Sequence, residues 1–235
     1  MSKGVFITGT DTGVGKTRLT LALMDELKKR GKSVSGMKPI ASGASLNNGK
    51  LINEDASLIM QHCSKPTDYE LINPVVFELP VAPHIAASQK KETIDLGKIT
   101  VCYKQLISNC ENVVVEGVGG WRVPVSNELS MVDLVRDLDL PVVLVVGLRL
   151  GCINHAILTA EAIRADGLDL KGWVSNKLDK DYLCAEETIV TLKESLACPY
   201  IANLPYTGDF EPNRALSKID LSLIFGSWPN AEMGA

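Results

Sequence analysis

One short stretch constrains this chain more than any other. Gly9-Thr10-Asp11-Thr12-Gly13-Val14-Gly15-Lys16-Thr17 follows directly on the apolar run Val5–Thr8 and leads into a segment with helical spacing. Strand, glycine-rich turn, Lys-Thr and helix N-terminus, in that order, make a cradle for phosphates. The glycines let backbone N–H groups turn inward, Lys16 is placed to neutralise charge between the β- and γ-phosphates, and the Thr17 hydroxyl to reach Mg2+. Gly9 stands one residue too early for the G-x-x-x-x-G-K-T spacing, and Thr10 takes the place of that glycine.

The rest of the chain supplies a matching scaffold. Short apolar, non-alternating runs at Val5–Thr8, Ser33–Met37, Asn112–Val115, Val142–Gly147, Gly172–Ser175 and Tyr200–Leu204 read as parallel strands covered on both faces. Between them Leu19, Ala22, Leu23 and Leu27 share one helix face before Gly31. Leu96, Ile99, Leu106, Ile107 and Cys110 share another, and Ala156, Ile157, Ala160 and Ile163 a third, which Asp166-Gly167 ends. The alternation predicts an α/β fold of three layers, with a mostly parallel, doubly wound sheet and ligands at the carboxyl ends of its strands. With no internal repeat or linker, residues 1–235 read as a single P-loop α/β domain. The Ser/Asn/Gly-rich segment Ala41–Asn53 reads as an exposed loop.

Composition narrows the partners. A net charge of −4 is the wrong sign for holding a polyanion, so nucleic acid is excluded as a partner. The longest apolar run, Pro141–Leu148, is far short of a membrane span, and no basic, apolar leader precedes Val5, which points to a cytoplasmic protein with no membrane partner. Six cysteines without a C-x-x-C pair read as buried free thiols of a reducing compartment.

A magnesium–nucleotide site needs hard oxygen ligands near the phosphates. Glu116 follows the run Asn112–Val115 and precedes Gly117-Val118-Gly119-Gly120, where a carboxylate would emerge at the sheet's carboxyl edge. Asp55, at the start of the helical pattern Ala56–Gln61, reads equally as a helix N-terminal acid or a metal ligand. Lys38 ends the second strand and reads either as a surface lysine or as a phosphate contact. Gly151-Cys152-Ile153-Asn154-His155 opens a helix whose free N–H groups suit a carboxylate. His155 reads as packed or capping, and Cys152 has no base nearby in sequence.

Taken together, Thr8–Thr17 (T-G-T-D-T-G-V-G-K-T), Lys38–Gly43 (K-P-I-A-S-G), Asn73–His84 (N-P-V-V-F-E-L-P-V-A-P-H), Val115–Trp121 (V-E-G-V-G-G-W), Leu150–Ala156 (L-G-C-I-N-H-A) and Gly172–Asn176 (G-W-V-S-N) resemble the dethiobiotin synthetase family. The resemblance implies an ATP- and Mg2+-dependent ligase of the cytoplasm that closes 7,8-diaminononanoate and CO2 into a cyclic urea through a carbamate and a carbamic–phosphoric anhydride. It implies catalytic roles for Lys16 and Lys38, and Mg2+ held by Thr17, Asp55 and Glu116. ATP contacts are implied at Gly13, Val14, Gly15, Lys16, Thr17, Asp55, Glu116, Gly117, Val118, Gly119, Asn176, Lys177, Pro205, Tyr206 and Thr207. Contacts to the diamine substrate are implied at Thr12, Ser42, Gly151, Cys152, Ile153 and Asn154, the last four coming from the other subunit of a homodimer.

Three positions depart from the family's pattern. Gly13 stands where members carry an acid, Asn176-Lys177-Leu178-Asp179 reads N-K-x-D, the guanine motif of GTPases, and the late acid of the adenine region falls at or beside Glu211. Two rival classes share the scaffold. A partition-type nucleotide switch needs a second lysine early in the loop, and none lies between Lys3 and Lys16; an amidoligase needs a glutamine-hydrolysing domain, for which no stretch is free.

Overall fold

The structure of the chain, a computed structural model, describes residues 4–208 and 219–226. In chain order its elements are β1 (Gly4–Gly9), α1 (Lys16–Lys29), β2 (Val34–Met37), β3 (Ile40–Ala41), β4 (Ser45–Asn47), β5 (Lys50–Ile52), α2 (Glu54–His62), α3 (Tyr69–Ile72), β6 (Val75–Val76) and α4 (Pro83–Lys90). They continue with α5 (Leu96–Asn109), β7 (Asn112–Glu116), α6 (Met131–Leu138), β8 (Val142–Leu148), α7 (Cys152–Ala165), β9 (Leu170–Lys177), α8 (Ala185–Ser195), β10 (Tyr200–Leu204) and α9 (Ser222–Phe225).

All six apolar runs become strands of one parallel sheet in the order β10-β9-β8-β1-β7-β2. Strand β1 and strand β8 are buried at every position, because helices cover both sides of the sheet. Along β8 the side chains divide by pleat: Leu144, Val146 and Leu148 pack with Cys152, Ala156 and Ala160 of α7, while Val143 and Val145 join the core of the opposite face. A fully buried Leu or Val in such a layer contributes about 1.5–3 kcal/mol.

The chain leaves β1 for β2 on one side and reaches β8 on the other, so a crevice opens where the order reverses, at the carboxyl end of β1. The phosphate loop sits in that crevice. Among the described residues no helix is long and apolar enough to cross a membrane.

Three local expectations change. Ala41–Asn53 is not irregular: β4 and β5 form an antiparallel hairpin, turned by Asn48 (φ 48°) and Gly49 (φ 79°), a pairing that suits the two left-handed positions of a type I′ turn. Its strands are short and mostly exposed, so no apolar alternation marks them. All six cysteines are free, but only Cys102 and Cys152 are buried, and Cys184 is exposed. His155 is exposed rather than packed, since α7 turns Cys152, Ala156 and Ala160 to the core and leaves its neighbours outside.

Candidate active site

The loop between β1 and α1 is shaped by Gly15, the N-cap of α1, at φ 98° and ψ 27°. A Cβ there would be strained by that φ and would meet Asn176 Nδ2 at 2.1 Å, so no other residue fits. Because Gly15 offers no side-chain cap and the first turn of α1 holds no acid, the helix's leading N–H groups keep their positive potential for an anion. Lys16 is buried and donates to Asp11 O (2.9 Å) and Gly119 O (2.7 Å), tying the loop to the segment after β7. Burial, and then the neighbouring Lys38 ammonium, bring its pKa down to about 8. Gly13 has a left-handed φ of 72° and open space around it. Asp11, the one acid in the loop, pairs with Arg149 instead of facing Lys16.

On the β7–β2 side of this loop four groups converge. Lys38 Nζ donates to Glu116 Oε1 at 2.5 Å and to Asp55 Oδ2 at 2.8 Å, and Thr17 Oγ1 donates to Glu116 Oε1 at 2.9 Å. Lys38 is 5% exposed and Glu116 0%, which rules out the surface-lysine reading. Burial alone would depress the Lys38 pKa, but Glu116 and Asp55 outweigh it and hold the value above the ordinary lysine range. Burial would raise the Asp55 carboxyl, yet Lys38 keeps it below the ordinary value. Asp55 is not the helix cap: Asn53 takes that role, its Oδ1 accepting from Ala56 N at 3.1 Å, which leaves the Asp55 carboxylate free to reach Lys38.

Lys38 is itself fixed from behind. Asn73 Nδ2 donates to the Lys38 carbonyl at 2.6 Å, Tyr69 Oη donates to Asn73 Oδ1 at 2.9 Å, and Asn53 N donates to Tyr69 Oη at 2.8 Å. Asn73 opens the Asn73–His84 motif, and an Asn before a proline in an apolar stretch is the one sequence signal of this role.

The donor set suits Mg2+. Glu116 Oε2 is buried with no hydrogen-bond partner among the described residues, a costly state for a carboxylate oxygen; the Thr17 hydroxyl meets the same carboxylate, and Asp55 shares its Lys38 partner. Among the described residues no group of three or more His, Cys, Asp or Glu could hold a metal. Two carboxylates and a hydroxyl match an ion that fills its remaining positions with phosphate oxygens and water.

Both sides of the loop open into one cleft of ≈ 790 Å3. It is lined by Thr12, Gly13, Gly15, Lys16, Thr17, Lys38, Ser42, Asp55, Glu116, Val118, Gly119, Asn176, Lys177, Tyr206 and Thr207, all expected from the sequence. Ser42 Oγ is buried there without a hydrogen-bond partner among the described residues. Arg18, Asn53, Pro80–Pro83, Val123 and Leu178 also line it and were not expected. On the far side, Asn176 Nδ2 donates to Val14 O at 2.8 Å and its Oδ1 accepts from Arg18 Nη1 at 3.0 Å.

The remaining expected residues lie elsewhere. Val14 is buried beneath the loop and enters through its carbonyl, Gly117 continues the sheet by donating to Ile7 O, and Pro205 does not reach the cleft. Gly151, Cys152, Ile153 and Asn154 form the N-terminus of α7 outside the chain's own cleft, beside the 97% exposed Leu150. Glu211 lies outside the described residues, as does Trp228–Ala235.

A family model described as an AAA domain matches residues 3–214. The chain is 41% identical over 216 residues to the ATP-dependent dethiobiotin synthetase BioD of Aromatoleum aromaticum, covering 92% of this chain and 96% of that protein. To the enzyme of the same name from Xanthomonas oryzae it is 48% identical over 207 residues, 88% of this chain and 92% of that one. Similar folds occur in a ParA family ATPase from Chlorobium tepidum (TM-score 0.54, 12% identity, 88% of this chain and 86% of that chain) and in the MinD cell division protein of Aquifex aeolicus (TM-score 0.52, 15% identity, 88% and 83%). At those identities the likeness shows the fold alone, whereas the two enzymes match 88–92% of the chain at more than twice the identity; the chain belongs to the family of ATP-dependent dethiobiotin synthetases.

Proposed function

We propose that the protein catalyses the ATP- and Mg2+-dependent carboxylation and ring closure of 7,8-diaminononanoate with CO2, giving dethiobiotin, ADP and phosphate. The observation that carries this reading is the Lys38 ammonium, buried between Glu116 and Asp55 directly beside a phosphate loop. One amine of the substrate adds to CO2 and loses a proton, leaving a carbamate. A carbamate oxygen then attacks the γ-phosphorus of ATP and ADP leaves, forming the mixed anhydride. The second amine attacks its carbonyl carbon and gives up a proton, the C–O bond to phosphate breaks, phosphate leaves with the electron pair, and the cyclic urea closes.

The chain's contribution is positioning and charge. The N–H groups at the start of α1, with Lys16, are suited to the β- and γ-phosphates. An ammonium carries three donors; Lys38 commits two to Glu116 and Asp55 and keeps one for an oxygen in the cleft, the carbamate or the phosphoryl group moving onto it. Ser42 Oγ, buried and unpartnered, is a further polar contact for the diamine. Mg2+, when bound by Thr17, Asp55 and Glu116, neutralises charge on the phosphates.

The α7 N-terminus at Gly151–Asn154 supports a homodimer. It does not line the chain's own cleft, it has no side-chain cap, and exposed Leu150 stands beside it, as fits a turn that holds the substrate carboxylate for a second copy.

The test is phosphate release from Mg-ATP with 7,8-diaminononanoate and bicarbonate, each omitted in turn, with the product mass measured. Release that needs both, with the mass of the cyclic urea, is the expected result. Hydrolysis indifferent to both would overturn the reading.

A further inference from the structure

A cradle for anions gains nothing from a negative charge of its own, yet the phosphate loop carries one. Asp11 is the one acid between β1 and α1, and the Lys16 ammonium five residues on donates to its carbonyl at 2.9 Å. The Asp11 carboxylate shapes the loop, because Oδ1 accepts from Thr12 N at 2.7 Å and holds the chain at its turn. That bond above all, working against burial and helped by Arg149, keeps the carboxyl below its ordinary 3.8, so it is ionised at neutral pH. A triphosphate on the loop brings further negative charge to the same place, and like charges repel.

The offsetting cation comes from the next strand. β8 pairs with β1 in the register Thr8–Leu144 and Gly9–Val145, and Thr10 N donates to Val145 O at 3.1 Å. Arg149, the first residue after β8, therefore arrives beside the loop. Its carbonyl accepts from Cys152 N at 3.0 Å, closing the turn into α7, and its Nη2 donates to Asp11 Oδ2. Neither Arg149 nor Asp11 lines the cleft, so the guanidinium faces the acid and not the space a nucleotide fills.

We infer that Arg149 serves nucleotide binding without touching the nucleotide: it offsets the Asp11 charge, so the loop keeps the turn its acid provides while Lys16 and the start of α1 meet the phosphates unopposed. Arg149 is thus a positioning residue that acts through Asp11. The inference rests on the proposed reading of the cleft as an ATP site. Both side chains are about half exposed, so the effect is modest and is screened by salt.

The experiment measures the affinities of ATP, ADP and adenosine by displacement of a fluorescent ADP analogue, at about 0.1 M and about 1 M salt, where charges are screened over about 10 and 3 Å. Arg149→Met should weaken ATP about fivefold at the lower salt, ADP less and adenosine not at all, and the loss should fade at the higher salt. Asp11→Asn keeps an acceptor for Thr12 N and drops the charge, so it should bind ATP at least as tightly as the wild type. Added to Arg149→Met, it should bring ATP affinity back to within about twofold of the wild type, and Arg149→Lys, which keeps the cation, should stay within the same range. Three results would overturn the inference. Asp11→Asn alone as weak as Arg149→Met would make the pair a structural tie, a double variant as weak as Arg149→Met would put the guanidinium on the phosphates themselves, and an equal loss for adenosine, or no loss for ATP, would remove the charge effect altogether. A wild-type protein that binds none of the three ligands overturns the reading of the cleft, and the inference with it.

Discussion

The two sides of the phosphate loop hold their polar groups in opposite ways. On the β7–β2 side, a buried ammonium sits between two carboxylates with a buried carboxylate oxygen left over. On the β9–β10 side a neutral amide bridges the loop's own backbone to one guanidinium. Removing one member of a buried ion cluster strands the others in low dielectric, at a cost of several kcal/mol, whereas removing a neutral amide forfeits about 1 kcal/mol per hydrogen bond. The first side is therefore intolerant of change, and the second tolerant of it.

The sharpest way to break this contrast is Lys38→Ala. It should lower the rate of cyclic urea formation about a thousandfold while ATP affinity, followed by displacement, moves only a few-fold. A parallel loss of affinity would mean that Lys38 serves binding. The same change leaves Glu116 without its ammonium, so thermal stability should drop, and Lys38→Ala with Glu116→Ala should regain stability but not rate.

Glu116→Gln comes next. It keeps the shape and removes the charge, and a Mg2+ titration of turnover should show about a hundredfold loss of rate with a higher Mg2+ requirement. An unchanged Mg2+ dependence would take Glu116 out of the metal site. On the other side, Asn176→Ala frees the Val14 carbonyl and should raise the KM for ATP about tenfold with kcat nearly constant, a split that a fall in kcat would contradict.

The smallest effect lies outside both sides. Ser130 N and Oγ donate to Asp133 Oδ2 at 2.8 and 2.9 Å at the start of α6, and these bonds hold the Asp133 carboxyl below its ordinary 3.8. Since the folded state favours the ionised form, this stabilisation is present above the unfolded value and is lost as pH falls through the lower folded one. Asp133→Asn should cost about 1 kcal/mol at neutral pH and flatten the acid end of the stability profile, without altering turnover. An equal loss at pH 3 and pH 7 in thermal melts would refute the ionic origin.

Much of the fold was legible because parallel strands buried on both faces leave unbroken apolar runs. Val5–Thr8 and Val142–Gly147 show this plainly. The β4–β5 hairpin was not, since an exposed three-residue strand has no buried face to enforce alternation and only Asn48-Gly49 marks its turn. In the site, Lys16 and Thr17 follow from local spacing alone. Arg18 and Asn73 did not stand out, because nothing in their own neighbourhoods indicates that one meets a residue 158 positions away and the other a carbonyl 35 positions away.

What the sequence determined by itself is whatever depends on near neighbours along the chain: the phosphate loop, the helix that continues it, the strand runs, and the family to which their motifs belong. The tertiary structure alone decided the questions of environment. Whether Lys38 was a surface lysine or a buried ion, and whether Asp55 was only a helix N-terminal acid or also a member of an ion cluster, depended on which groups the fold brings within 3 Å of each other. The physical reason is that charge is tuned by burial and by partners across space, and parallel strand order sets both from residues far apart in sequence.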